Sequence, residues 1–260
     1  MVRAINEDSF LVSGPIFLVA DGMGGHNAGD QASQAVRSTF GAAFGAPVPA
    51  STDDVLSAIR RSNVAVRAIE SPDGTAPSIS GTTLAGVALV EAADSGMLHW
   101  MAFNIGDSRI YSWDGRSLTQ LSVDHSAVQE LVEAGVITDA EAVLHPDRNI
   151  ITRAIGASDD VDADVWLVPA ASSQAFVMCS DGLTKEIGDE QIARILAEHI
   201  AVEGGATLAD ELVGAALAAG GRDNVTVVVV EAFTSGIGSD QEDTIERVSS
   251  AATESTQPRS

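Results

Sequence analysis

Phe17-Leu18-Val19-Ala20-Asp21-Gly22-Met23-Gly24-Gly25 is a short apolar run that ends in an acid and then in glycine. Such a run reads as a buried strand that delivers a carboxylate to its tip. The phrase recurs as Ala175-Phe176-Val177-Met178-Cys179-Ser180-Asp181-Gly182. A third version, Trp100-Met101-Ala102-Phe103-Asn104-Ile105-Gly106-Asp107, also carries its acid where the apolar residues stop. Strands that each place one Asp at an end imply a single pocket where carboxylates converge. Like charges held close together either take up protons or bind a cation, so the pattern points to a metal site.

Outward from that stretch, residues 9–12 read as a strand, and Gly14-Pro15 turns the chain into the strand at 16–20. Ala32, Ala35, Val36 and Phe40 follow helical spacing between Gly29 and about Phe44. Ser51-Thr52-Asp53-Asp54 is a cap for a second helix with Val55, Ile59, Val66 and Ile69 on one face, and Ser71-Pro72-Asp73-Gly74 ends it. Strands are expected at 82–90, 98–105, 109–113 and 117–121, with Asp114-Gly115 as a two-residue hairpin turn. Successive strands without intervening helices imply an antiparallel sheet. A helix from Asp124 to Gly135 leads into an irregular excursion at 136–158 with one short helix. Strands at 165–168 and 175–180, helices near 189–199 and 206–219, and a buried strand at 224–231 complete the pattern. Beyond Phe233 the composition turns to Ser, Thr, Gly, Asp and Glu, so 234–260 reads as a polar, disordered tail after a single domain at 1–233.

Composition bounds the function classes. The 260 residues hold 14 basic and 37 acidic side chains, a net charge of −23, and Lys185 is the only lysine. A surface of that sign repels nucleic acid and anionic lipid, so neither is expected as a partner. Cys179 is the only cysteine and lies inside an apolar run, which suits a core thiol in a reducing compartment. No apolar run approaches the ~20 residues needed to span a bilayer, and no signal peptide is recognisable. The expectation is a cytoplasmic monomer.

Position separates the four Asp-Gly pairs. Asp73-Gly74 and Asp114-Gly115 lie between elements and read as turns, whereas Asp21-Gly22 and Asp181-Gly182 end apolar strands. Taken singly, the other acids stay open: Asp223 also suits an Asx-turn, Asp107 an ion pair with Arg109, and Glu7 and Asp8 a surface charge cluster beside Arg3. An oxygen-only set favours Mg²⁺ or Mn²⁺ over zinc. The histidines agree, because His26, His99, His125, His145 and His199 show no paired ligand spacing. Gly22-Met23-Gly24-Gly25 has the wrong spacing for a nucleotide cradle, and Asp21 would repel a phosphate unless a cation intervened.

These residues together resemble the metal-dependent protein phosphatases of type 2C, the Mg²⁺/Mn²⁺-dependent Ser/Thr phosphatases, above all their bacterial members. The resemblance spans Arg3 to Glu231. It rests on Arg3-x-x-Asn6-Glu7-Asp8, Ala20-Asp21-Gly22-Met23-Gly24-Gly25-His26, Ser80-Gly81-Thr82-Thr83, Asn104-Ile105-Gly106-Asp107-Ser108-Arg109, Asp124-His125-Ser126, Ser180-Asp181-Gly182-Leu183 and Asp223-Asn224, in that order. It implies an α+β fold, a four-layer αββα sandwich of two antiparallel β-sheets flanked by helix pairs, with 136–158 as a flap.

The resemblance also implies the site. Asp21 would bridge two Mn²⁺ or Mg²⁺ ions, with the Gly22 carbonyl on the second. Asp181 and Asp223 would hold the first ion, and Glu7 and Asp8 would act on the second, partly through water. Arg3 would clamp the substrate phosphate. Asp107 with Asp181 resembles a pair that binds a third ion, which Asn149 of the flap would approach. The implied reaction is hydrolysis of phosphoserine and phosphothreonine in phosphorylated proteins by a hydroxide bridging two metals, opposing a cognate Ser/Thr kinase. The rival readings are a catalytically dead phosphoprotein-binding module and a dedicated regulator of one signalling partner. Two departures stand out: the chain begins within the first motif, so an edge strand usual before it is expected to be missing, and Met23 stands where many eukaryotic members carry a histidine.

Overall fold

The Gly14-Pro15 corner folds β1 (Asp8–Ser13) back onto β2 (Ile16–Gly24), and this hairpin starts the first sheet. A computed structural model describes residues 5–24, 28–46, 48–69, 80–92, 96–170, 173–199, 205–233 and 249–254. After β2 come α1 (Ala28–Ala43), α2 (Thr52–Arg67), β3 (Ser80–Thr82), β4 (Leu84–Glu91), β5 (Leu98–Ile105), β6 (Arg109–Trp113) and β7 (Leu118–Gln120). The short helices α3 (Ala127–Glu133) and α4 (Asp139–Ala142) precede β8 (Asp164–Pro169) and β9 (Ser173–Cys179). The chain then forms α5 (Asp181–Thr184), α6 (Asp189–Glu198), α7 (Leu208–Ala219), β10 (Thr226–Phe233) and β11 (Ser249–Glu254).

One sheet has the order β1-β2-β4-β5-β8, with β3 beside the far end of β2, and the other the order β11-β10-β9-β6-β7. The named pairs are all antiparallel. Alternation along β2 shows why its run is apolar throughout. Ile16, Leu18 and Ala20 point to α1 and α2, where they meet Ala32, Val36, Phe40, Val55 and Ile59. Phe17 and Val19 point the other way and pack with Trp100, Ile110, Phe176, Met178 and Val228 between the sheets. A strand covered on both faces needs apolar residues at both parities. Beyond the second sheet, Val177, Cys179, Val227 and Val229 meet Ile192, Leu212, Val213 and Ala216 of α6 and α7. Three apolar layers thus separate four structural layers, the sandwich the resemblance implies.

Several elements differ in detail from the reading of the sequence. The strand at 16–20 runs on to Gly24, because β3 pairs with its extension at Gly22↔Thr82 and Met23↔Gly81. Asp21 therefore sits within β2 and not at its tip. The strand at 82–90 is interrupted at Thr83, which turns its main chain and hydroxyl to Asp21. Asp114-Gly115 is part of a four-residue loop, since Trp113 pairs with Leu118. The Asp114 carboxylate accepts from the amides of Arg116 and Ser117 at 2.8 and 2.7 Å and shapes that loop. The Ser51 cap forms as expected, its hydroxyl accepting from the Asp54 amide at 3.1 Å.

The largest difference lies in the tail. Residues expected to be disordered form β11, which pairs with β10 from Thr226↔Glu254 to Glu231↔Ser249. A buried valine-rich strand leaves a row of unpaired backbone groups at its edge, and small Ser and Ala residues can cover it. Residues 234–248 and 255–260 of the tail, like Ser71-Pro72-Asp73-Gly74, lie outside the described residues. The excursion at 136–158 is irregular apart from α4, whose Thr138–Glu141 capping box is complete. Its C-terminal part is tied down by bridges between Ile151 and Ser126 and between Ile155 and Thr82.

Candidate metal centre

The acids converge where β1, β2, β5, β9 and β10 end or bend. Asp8 and Asp21 are direct partners across β1 and β2. Asp107 follows β5, Asp181 opens α5 immediately after β9, and Asp223 precedes β10. The folding of each segment explains the placement. Asp21 is fixed by its own backbone: its amide donates to the Thr83 hydroxyl at 2.9 Å, and its carbonyl accepts from the Thr83 amide and the Thr82 hydroxyl, both at 2.9 Å. Thr83 shares a 2.7 Å hydrogen bond with the Ser108 hydroxyl, which couples β2 to the turn carrying Asp107.

Ser180 links the two sheets. Its hydroxyl donates to Asp8 at 2.9 Å and accepts from the Thr226 amide at 3.0 Å. Asn224 performs a similar task for Glu7, its side-chain oxygen accepting from the Glu7 amide at 3.1 Å. The Glu7 carbonyl in turn accepts from the Gly22 amide at 3.1 Å. Close approach explains two glycines of the motifs. A Cβ on Gly22 would collide with the Gly29 and Glu7 carbonyls, and one on Gly182 would collide with the Asn224 carbonyl. The DG phrases are therefore packing requirements as well as turn signals.

The electrostatics follow from this crowding. Burial, opposed by the Thr226 and Ser180 hydroxyls and reinforced by the Asp181 charge, pushes the Asp8 carboxyl up to about 6. Burial and the Asp181 charge push Asp107 up to about 7, with Lys185 opposing. Asp21 is raised well above the ordinary range by burial and by the charges of Asp8, Asp181, Asp107 and Asp223. These acids interact as one set and are costly to ionise together. One carboxylate oxygen of Asp8 and one of Asp107 are fully buried with no hydrogen-bond partner. Among the described residues, no three His, Cys, Asp or Glu side chains are already closed about a common point as a metal shell. One cation does reach the set. The Lys185 ammonium contacts Asp181 and lies 3.8 Å from Asp223. Burial lowers its pKa, and the charges of Asp181, Asp223 and Asp107 outweigh this, so it is held above the ordinary lysine value.

Buried, orphaned oxygens among mutually repelling carboxylates are the chemistry that a hard divalent cation satisfies. The donor set is oxygen throughout. A comparison of sequences agrees with that reading, for the profile of the family described as Protein phosphatase 2C matches residues 3–217. The chain belongs to this family. Among curated relatives of this phosphatase 2C chain, the serine/threonine phosphatase stp of Listeria monocytogenes is 34% identical over 239 residues, 88% of this chain and 91% of that protein. The serine/threonine protein phosphatase PstP of Mycobacterium tuberculosis is 36% identical over 245 residues, 93% of this chain and 45% of that longer protein. The crystal structure of the Mycobacterium tuberculosis PstP/Ppp superposes with a TM-score of 0.75 at 34% identity, covering 90% of this chain and 94% of that one. The PstP catalytic domain in complex with two manganese ions gives a TM-score of 0.72 at 34% identity, with coverage of 89% and 93%.

Of the residues expected to form the site, Asp8, Asp21, Asp107, Asp181 and Asp223 act electrostatically on one another, with Glu7 and Gly22 joined to them through the backbone. The Asp223 carboxylate accepts from the adjacent Asn224 amide at 2.9 Å, a bond to the next residue and not the two-residue reach of an Asx-turn. The alternative ion pair of Asp107 with Arg109 does not form, because Arg109 grips Asp124 through bonds of 2.7 to 3.0 Å. Asn149 stands exposed in the 136–158 excursion. Arg3 and His26 lie outside the described residues. Residues at the site whose roles were not read from the sequence include Ser180 and Asn224 as cross-links, Lys185 as a cation among the acids, and Glu186 as a brace. Glu186 accepts from the Arg222 amide at 3.0 Å and from its guanidinium at 2.9 and 3.1 Å, holding the loop that carries Asp223. The signal for Ser180 and Asn224 was their place beside an acid within a motif. Glu186 gave none, because its partner is distant in sequence.

Proposed function

We propose that the chain is a divalent-metal-dependent phosphatase that removes phosphate from phosphoserine and phosphothreonine in proteins. The observation that carries the proposal is the set of buried carboxylates from separate strands, with orphaned oxygens on Asp8 and Asp107, in a chain of the phosphatase 2C family. In this reading Asp21 and the Gly22 carbonyl would help to hold two Mn²⁺ or Mg²⁺ ions. Asp181 and Asp223 would hold the first ion, Glu7 and Asp8 would serve the second, and Asp107 with Asp181 would hold a third. Arg3 receives the substrate phosphate as a guanidinium clamp.

When bound, such ions supply a nucleophilic water at neutral pH and offset negative charge on the transferring phosphoryl group. The rest is done by the chain. In hydrolysis a water oxygen forms a bond to phosphorus as the bond to the serine or threonine oxygen breaks, and that oxygen leaves with a proton. Positioning dominates the protein's contribution to such a step. Ser180 holds Asp8, Thr83 holds the Asp21 backbone, and Glu186 with Arg222 holds the Asp223 loop, so the carboxylates are set before substrate arrives. No nucleophilic side chain is required. Cys179 is wholly buried and burial pushes its thiol up to about 12, which suits a core residue.

We place this activity in the 1–233 unit of a cytoplasmic monomer that opposes a Ser/Thr kinase. The lone buried cysteine fits a reducing compartment, and no described helix is long and apolar enough to cross a membrane. The test is hydrolysis of a phosphothreonine peptide with Mn²⁺, with Mg²⁺ and with a chelator. Phosphate release that needs the metal is expected. Equal release in chelator, or none with either metal from folded protein, would overturn the proposal.

A further inference from the structure

Lys185 is the one lysine in the 260-residue chain, and it projects into the carboxylate set. It stands one helical turn after Asp181 and makes an i,i+4 ion pair with it. The same ammonium lies 3.8 Å from Asp223, which arrives from the other side of the site ahead of β10. Its side chain is 38% exposed, against 14% and 20% for the two acids, so the stem runs along the mouth while the charged end turns inward.

From this geometry we propose that Lys185 is a tethered counter-cation that shares the Asp181–Asp223 corner with the incoming metal and is displaced when a divalent ion binds there. The proposal rests on the metal reading of these aspartates and adds a chain-specific control on it. A monovalent ammonium can neutralise one carboxylate but cannot satisfy two as a divalent ion does, so it yields to metal at a cost in apparent affinity. In return, the metal-free site keeps a positive charge among its acids and stays assembled. Lys185 is thus a positioning residue: it sets how tightly the corner takes metal, and it takes no part in the hydrolytic step.

Two measurements on the full chain test this. Calorimetric titration with Mn²⁺ compares the native protein with Lys185→Gln, alongside thermal melting of both in chelator. The variant is expected to bind the ion roughly tenfold more tightly or better, and its metal-free form to melt at a lower temperature than the native. The second uses native protein grown with ¹³C-labelled lysine, which yields a single lysine side-chain resonance. That resonance is expected away from the free-lysine position without metal, and to move toward it on saturation with Mg²⁺. Metal binding by Lys185→Gln that is no tighter than native would overturn the proposal while leaving the metal site intact. So would a native lysine resonance at the free position before metal is added, a result that stands even if the variant fails to fold. A native protein that takes up no Mn²⁺ at all would overturn the metal reading and this inference together.

Discussion

Asp8 and Asp21 stand directly opposite one another on paired antiparallel strands, Asp8 buried and Asp21 half-buried. Like charges in that register repel, and burial with the neighbouring carboxylates raises both carboxyls above their ordinary range.

This gives a pH dependence with a definite sign. The Asp8 and Asp107 carboxyls are raised from 3.8 to about 6 and about 7 in the folded chain. Between about 4.5 and 7 the folded state therefore holds more protons than the unfolded one, and stability falls as pH rises. Carboxyls that shift the other way, such as Asp164 and Glu186, lose their contribution only below their ordinary values of 3.8 and 4.5, outside that window. Melting in chelator should drop by roughly 5–10 °C between pH 5 and 8, and saturating Mg²⁺ should flatten the slope. A metal-free melting temperature that climbs through this window would contradict the assignment.

Glu186→Gln should loosen the Asp223 loop without touching a ligand. The Glu186 side chain is 2% exposed while Arg222 is 71% exposed, so the ion pair itself adds little, and its effect lies in fixing the loop. Apparent Mn²⁺ affinity should weaken by about tenfold, with kcat at saturating metal near native. A loss of kcat with unchanged metal affinity would point to a role other than bracing.

Asp107→Asn separates a third ion from the first two. Turnover should fall by at least about tenfold, while calorimetry still records the two principal ions with near-native affinity and one weaker site missing. A titration with no lost site would count against a metal role for Asp107.

Phe103→Ala tests the packing beneath the helix pair. The Phe103 ring stacks on Phe40 at 5.8 Å, and Gly86 leaves the space it fills. Truncation should cost about 3–5 kcal/mol by denaturant unfolding. A cost below ~1 kcal/mol would mean that the layer collapses to fill the void.

The legible parts of this protein were those with local signals. The apolar runs around Asp21 and Asp181 announced strands buried on both faces, because β2 and β9 lie between other layers. The helix after the Ser51 cap was read from that cap and its apolar spacing, and the helices from Asp189 and Leu208 lie close to the expected 189–199 and 206–219. What escaped was set by partners remote in sequence. The continuation of β2 past Asp21 depends on β3 some 60 residues later, as the Thr83 bonds show (|i−j| = 62). The one-turn α5 at Asp181 is too short for periodicity to register. β11 has no apolar pattern of its own and exists as a strand because β10 offers an edge. The acids were legible as a set, while Ser180, Glu186 and Lys185, which hold or neutralise them, needed the fold.

The most direct test of the central claim is phosphate release from a phosphothreonine peptide by native, Asp181→Asn and Asp21→Asn proteins at matched Mn²⁺. Each substitution keeps the side-chain volume and removes one charge from the buried set. Turnover should fall by at least about a thousandfold in variants whose circular dichroism matches the native chain. Near-native turnover by either variant at modest Mn²⁺ would contradict the account.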